Sequence, residues 1–284
     1  MRNWIISLAR LPAVRRVVIL IERYTAHDVS QQGAALAYYL LFTLFPLLIF
    51  VSSLVGQLRL DPVLIAETLA PVLPSDVLTL TQEYLHYVSE RASVSTLWFS
   101  AVFSIWFPMR ATFCLMRSVR LAYDLGEPKK PLRHTFKVLF FTAALLFCLI
   151  LTLLLITMGD RFITALGQKL MFPVLLQRIW GTLRFAVLGA VIFGALSALY
   201  AAAQDKPRRI RTSLPGAALA TLSWIVLSFG YSVYTESFSN YSAVYGALSA
   251  IIVLMIWLYL TALTLILGAE VNHILLGSKI PPEP

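Results

Sequence analysis

The sequence predicts an all-α polytopic membrane protein: six transmembrane helices with both termini cytoplasmic, plus short amphipathic interfacial helices. Three observations carry that expectation. Of 284 residues, 59% are apolar and only 13% charged, against roughly 25% charged in soluble domains. Charged residues bracket six long uncharged windows, as they must if an ionised group in hydrocarbon costs several kcal/mol. Lys and Arg also alternate strongly between successive connections. A water-soluble enzyme of ordinary composition is excluded.

Residues 1–32 form a basic segment, with Arg2, Arg10, Arg15, Arg16 and Arg23 interleaved with Trp4, Leu8, Leu11, Val18 and Ile21. That pattern predicts an amphipathic helix on the anionic inner leaflet, the alternative being a solvated basic leader. Arg10, Pro12, Arg15 and Arg16 interrupt any apolar stretch of signal-peptide length, so no cleavable leader is expected. Residues 33–272 form a single six-helix membrane domain, with spans near 33–55, 93–116, 137–158, 184–204, 213–235 and 245–267. Residues 273–284 are a short cytoplasmic tail. The bracketing windows hold 30 residues between Asp28 and Arg59, 18 between Arg91 and Arg110, and 22 between Lys137 and Asp160. The remaining three hold 20 between Arg184 and Asp205, 24 between Arg211 and Glu236, and 33 between Glu236 and Glu270. Each crosses a core of about 30 Å at 1.5 Å per residue, the second by continuing past Arg110. Barrel strands would alternate, and these runs do not.

Within the spans, Pro46 and Pro108 each remove an intrahelical hydrogen bond and are expected to kink their helices. Pro215, in a first turn after Thr212 and Ser213, is harmless. In lipid, helices associate where small residues let backbones approach. Ala186, Ala190, Gly194, Ala198 and Ala202 recur at four-residue spacing, and Gly216 with Ala220 and Gly246 with Ala250 offer shorter seams. These are assigned to packing, and they leave a homo-oligomer open. Two outer connections mix apolar and charged residues: 61–92 is read as one or two short interfacial helices, with Ser75-Asp76 ahead of Val77, Leu80, Tyr84 and Val88 a capped start, and 160–182 as a basic, apolar surface at headgroup depth.

Orientation follows from Lys and Arg alone. The N-terminal segment, the second and fourth connections and the tail hold 15, whereas the alternate connections hold five. Both termini therefore face the cytoplasm, and the net charge of +9 reflects topology rather than nucleic acid. Cys114 and Cys148 show neither disulfide nor ligand spacing.

Gly33-Ala34-Ala35-Leu36-Ala37-Tyr38-Tyr39 leading to Leu44-Phe45-Pro46-Leu47-Leu48 is one of several motifs shared with a known family. The others are Leu214-Pro215-Gly216-Ala217, Trp224, Tyr241 with Val244-Tyr245-Gly246, Trp257-Leu258-Tyr259 and Leu267-Gly268-Ala269-Glu270-Val271-Asn272. From about Asp28 to Asn272 the chain resembles the YihY/BrkB family of bacterial inner-membrane proteins. The resemblance implies six helices with both termini inside, and envelope and lipid-related roles. Family members have carried the labels "ribonuclease BN", a misassignment, and "virulence factor BrkB", a phenotype.

Chemistry-bearing residues are few. Asp124 and Glu127 share a connection with Lys129, Lys130, Arg133 and His134, and His27-Asp28 could meet Glu270 and His273 if the first and last spans are neighbours. No paired metal ligands, phosphate-cradling glycine loop or nucleophile elbow is present, so no catalytic residue, metal or cofactor is assigned. Arg110 and Glu270, near one end of their spans, are candidates for a gate, a headgroup site or an ion pair, and Asn272 joins them through the motif. Lys137, at the start of the third span, reads as an interfacial anchor. Glu236, Asn240, Tyr241 and Tyr245 surround a short outer connection that reads either as a polar mouth or as a tight hairpin. The leading expectation is a non-enzymatic inner-membrane protein that transports or positions a lipid or other amphiphile in envelope biogenesis, with lipids and envelope proteins as partners. The alternatives are a non-transporting scaffold or regulator of envelope partners and, third, a ribonuclease acting on tRNA. No nucleic-acid partner is expected.

Overall fold

The computed structural model describes residues 12–57, 93–148, 173–204, 210–237 and 247–277; among them regular structure is helical, without strands. In chain order the helices are α1 (Pro12–Ala26), α2 (Val29–Gln57), α3 (Val94–Ala122), α4 (Pro131–Cys148), α5 (Pro173–Ala203), α6 (Leu214–Ser237) and α7 (Ala247–Gly277). A 3-10 turn, Ile210–Thr212, precedes α6. Helices α2 to α7 each contain a stretch long and apolar enough to cross a membrane, one for each uncharged window. Trp98, Phe99, Phe147, Val226 and Phe229 stand more than 60% exposed, a surface that water would penalise at about 25 cal/mol per Å² and hydrocarbon accepts.

The helices outrun the expected spans. Helix α3 continues through Arg117 and Arg120, α4 begins six residues before Lys137, and α7 carries Glu270 and His273 to end at Gly277. Charge bracketing marks the hydrocarbon-compatible stretch, whereas a helix continues until its backbone is capped. The interfacial helices expected at 61–92 lie outside the described residues. So do Asn240, Tyr241, Tyr245 and Gly246, while Glu236 lies in α6 without a described side chain.

Two compact units make up the chain. The first is built from described residues within Met1–Leu41, Arg110–Phe141 and Ile192–Pro284. In it α6 packs along α7 at a close backbone crossing. A Cβ on Gly216 would strike the Gly268 carbonyl oxygen and the Asn272 amide; one on Gly268 would lie 2.7 Å from the Ala220 Cβ and from the Tyr200 hydroxyl. Glycine is required at both positions by space, not by dihedral. The buried Tyr200 hydroxyl donates to the Leu265 carbonyl at 2.5 Å. Helix α2 rests on α7 through Ala37, Leu41 and Leu258, flanked by Leu40, Leu254 and Trp257.

The second unit, within Phe42–Met109 and Thr142–Val191, is organised by an aromatic file. Phe99–Phe103, Phe103–Phe107 and Phe42–Phe107 have ring centroids 4.5, 5.9 and 5.6 Å apart, the spacing of offset and edge contacts. Ser93 caps α3, its hydroxyl accepting from the Thr96 N–H at 3.1 Å. Pro46 and Pro108 lie inside the continuous helices α2 and α3.

The small-residue ridge of α5 is not where the close crossing forms. Ala190 and Gly194 are exposed, Ala198 is half-buried, and a Cβ on Gly194 would meet nothing described within 4 Å. Four-residue spacing reports that a backbone can approach; the partner's own surface decides where it does. At Gly216 the facing helix also presents a glycine.

Candidate functional site

Two sharp turns in the first unit build the site. Helix α1 ends at Ala26, the His27 N–H bonds the Arg23 carbonyl at 2.9 Å, and Asp28 adopts φ 48° before α2 starts. The left-handed region is one that Asp tolerates better than most side chains. Arg23 and His27, four residues apart, consequently share one face. At the end of α3 the Leu125 N–H bonds the Arg120 carbonyl and the Asp124 N–H the Leu121 carbonyl, each at 2.9 Å. Asp124, at φ 53°, occupies the position where this helix-ending motif most often has glycine.

Glu270 of α7 meets both turns. The Arg23 Nε donates to Glu270 Oε2 at 2.6 Å, its Nη1 and Nη2 reach the Asp124 carboxylate at 3.2 and 3.1 Å, and Nη2 also bonds the Ala122 carbonyl at 2.8 Å. The His27 Nδ1–H donates to Glu270 Oε1 at 2.6 Å, and His273 Nε2 lies 3.0 Å from Asp124 Oδ2. The Glu270 side chain is 1% exposed and that of Asp124 51%. Burial alone would lower the Arg23 pKa; the hydrogen bonds and negative charges of Asp124 and Glu270 outweigh it and raise the guanidinium above its ordinary value.

His27 also lines a cleft of about 760 Å³, together with Gln32 of α2, Phe113, Cys114 and Arg117 of α3, and Glu127 of the following connection. Phe113 stacks edge-on against the buried His134 ring, 5.8 Å between centroids, and its ring centre lies 5.8 Å from the Arg110 guanidinium. Arg110 completes the row, 5.6 Å from the Tyr39 ring centre and with Nη2 3.5 Å from its hydroxyl. The site therefore joins a buried ion cluster to a mixed apolar and basic cleft through one imidazole.

Arg110 and Glu270 are not brought together: α1 supplies the cation for Glu270, leaving Arg110 between aromatic rings. Asn272, fully buried, instead ties α6 to α7. Its Oδ1 accepts from the Gly216 N–H at 2.6 Å and its Nδ2 donates to the Ser213 carbonyl at 2.9 Å. A first-turn N–H normally looks to its own cap; here the buried Ser213 hydroxyl makes no hydrogen bond, and α7 supplies the acceptor. Arg120 and Lys137, which sequence alone marks as connection charge and interfacial anchor, hold the end of α5. The Arg120 Nη1 bonds the Ala203 carbonyl at 2.9 Å and Lys137 Nζ the Ala202 carbonyl at 2.6 Å, cations at the negative end of a helix. Among the described residues no group of three or more His, Cys, Asp or Glu is placed to hold a metal ion.

Residues 20–282 match the family model described as Virulence factor BrkB. The chain is 32% identical over 264 residues to the ribonuclease-like protein YfkH of Bacillus subtilis, covering 93% of this chain and 96% of that protein. It is 34% identical over 94 residues to a UPF0761 membrane protein of Xanthomonas oryzae and 33% identical over the same length to one of Xanthomonas campestris. Each of those matches covers 33% of this chain and 22% of the relative, so the alignment spans about a fifth of those proteins' length. No solved structure matches. With a family model aligned from residue 20 to residue 282 and a near full-length relative, the chain belongs to the BrkB family of membrane proteins.

Proposed function

We propose that this protein is a non-enzymatic component of the bacterial inner membrane, with both termini in the cytoplasm, that binds a lipid or similar amphiphile and moves or positions it for the cell envelope. The observation that carries the reading is the cleft of about 760 Å³ beside Glu270. It combines an apolar wall, Phe113 and Leu121, with the polar and charged groups of Gln32, Arg117 and His27, the chemistry of a molecule that is apolar at one end and polar at the other. The exposed Val17, Val18 and Ile21 of α1 suit a helix lying at headgroup depth. The Lys and Arg count supports the orientation.

Reconstitution tests it. Purified protein in liposomes should exchange a fluorescent lipid between leaflets faster than empty liposomes, and Arg117→Glu should reduce that excess several-fold. Leaflet exchange no faster than the empty-liposome background, with envelope proteins recovered by cross-linking in cells, would replace transport by scaffolding. RNA cleavage that survives purification and disappears in Asp124→Asn would overturn both in favour of an enzyme. Reporter fusions at the two ends, read out as cytoplasmic, check the orientation separately.

A further inference from the structure

His27 has a carboxylate at each ring nitrogen, and the two distances differ. Its Nδ1–H donates to Glu270 Oε1 at 2.6 Å, whereas Nε2 stands 3.5 Å from Asp124 Oδ1, too far for a strong bond. A neutral imidazole has one N–H; with Nδ1 carrying it toward Glu270, Nε2 turns a lone pair toward an anion. The imidazolium has two and donates to both. Asp124 has room for the second. Of the roughly four acceptor positions on a carboxylate, Arg23 Nη2 takes one on Oδ1, and Arg23 Nη1 with His273 Nε2 takes two on Oδ2. The remaining place is on Oδ1, the oxygen that His27 faces.

The groups around His27 pull both ways. Glu270 of α7 and Asp124 at the end of α3 favour the charged ring, as do Asp28 of the same turn and Glu127 of the connection after α3, which line the cleft with it. Arg23 of α1 and His273 of α7 oppose it, together with Arg117 and Arg120 of α3 and His134 of α4, also in the cleft wall. Contact settles the balance, because carboxylate oxygens stand at both ring nitrogens, while Arg23 and His273 spend their donors on those same carboxylates. The three bridged groups also come from three places in the chain: the turn between α1 and α2, the turn that ends α3, and α7. Asp28, next to His27, and Asp124 are both in the left-handed region, a backbone state that persists where surrounding contacts hold it.

We propose that His27 is a proton-operated latch: taking up a proton on Nε2 completes a Glu270–His27–Asp124 bridge and ties the turn between α1 and α2 to the ends of α3 and α7 at once. The tied state binds one more proton than the untied one, so acid favours it and rising pH releases it. Imidazole changes charge between about pH 5 and 8, which places the latch within the range a cell experiences. What it governs is how firmly α1, with its exposed Val17, Val18 and Ile21, is held against the first unit. The latch goes beyond the amphiphile reading and does not depend on what the cleft binds.

Two measurements on the full chain in phosphatidylcholine nanodiscs test it. In nitrogen-15 spectra of histidine-labelled protein, the ring whose signals vanish in His27→Gln should gain its second N–H as pH falls from about 7.5 to about 5.5. Over the same range backbone amide exchange across residues 23–29, corrected for the intrinsic pH dependence, should slow about tenfold, the effect of one added bond between charged groups. The slowing should vanish in His27→Gln and in Asp124→Asn. Asn tolerates the left-handed conformation of residue 124, so the second variant keeps the turn and separates the latch from any loss of fold. His273→Gln should retain the slowing, because His273 already donates to Asp124 through Nε2 and its protonation adds no bond to the bridge. Exchange that does not respond to pH in wild type, slowing that survives either His27→Gln or Asp124→Asn, or slowing that disappears in His273→Gln would each overturn the proposal.

Discussion

Replacing Arg23 by Met should be among the most damaging single changes in the first unit, because it leaves Glu270 charged and buried. Arg23 contributes the 2.6 Å bond to Glu270, two longer bonds to Asp124 and one to the Ala122 carbonyl. These do not count equally. Asp124 is 51% exposed and keeps His273 and water, so its share is at most about 1 kcal/mol. Glu270 is 1% exposed and would keep only His27. Removing one partner of a buried pair costs about 3–5 kcal/mol, and the surviving His27 bond places this case at the lower end, near 3 kcal/mol. Unfolding of purified protein in mixed micelles, titrated with denaturing detergent, reads the loss. Glu270→Gln in the Arg23→Met background removes the stranded charge and should recover roughly half of it, a coupling inside the usual 0.5–3 kcal/mol for groups in contact. Because the Arg23 pKa is raised in the fold, its contribution is complete at any pH below its unfolded value and is lost only above that, so the deficit should persist unchanged through neutral and mildly alkaline buffers. A loss below about 1 kcal/mol, or a double variant as unstable as the two single losses added, would refute the claim that Glu270 depends on Arg23.

The other expectations concern backbone geometry. Asp124→Gly should be nearly neutral, since relief of the left-handed conformation offsets the loss of half-exposed ion pairs, whereas Asp124→Ala should cost about 1 kcal/mol more; equal melting temperatures for the two would remove the strain argument. Gly216→Ala should destabilise by about 1–3 kcal/mol through overpacking against Gly268, while Gly194→Ala, into open space, should be neutral or slightly stabilising; the reverse order in a thermal shift assay would place the close crossing on α5 after all. Asn272→Leu should cost about 1–3 kcal/mol by stranding the Gly216 N–H, while the Ser213 carbonyl keeps the Ala217 N–H. Backbone amide exchange at Gly216 as slow in Asn272→Leu as in wild type would show that the bond is dispensable.

Six membrane helices are legible in the sequence because the exclusion of charge from hydrocarbon is a one-dimensional signal, written along the chain with no need to know which helices meet. The helix ends are less legible, since Arg117, Arg120 and Glu270 mark where apolar solvent stops and α3 and α7 continue beyond it. Glu270 and Asn272 stand out through their motif, and the encounter of His27 with Glu270 is foreseeable if the first and last spans are neighbours. The cation is not. Arg23 sits 247 positions from Glu270 and, by sequence, is one more basic residue on the inner side. A usable signal exists in Arg23 and His27 at four-residue spacing, ahead of a span, with an acid at the end of another. Asp124 reads as a candidate carboxylate, but its role as a helix terminator is hidden because the residue that usually advertises such a turn is glycine. Gly216 is one of several small residues, and only its facing Gly268 singles it out.

A buried ion cluster is a poor way to gain stability, since well-packed apolar side chains of the same volume often do as well or better. What it supplies is a direction. Apolar contacts between a surface helix and a bundle tolerate sliding, but a guanidinium that must reach Glu270, Asp124 and the Ala122 carbonyl at once has one solution. Arg23 therefore fixes the last turn of α1 against the ends of both α3 and α7, and with it the heading of the exposed Val17, Val18 and Ile21. His27, one turn further on, is held by the same carboxylate and forms part of the cleft wall. The heading of α1 and the placement of His27 in the cleft wall thus both depend on Glu270, so a change at Glu270 acts on both.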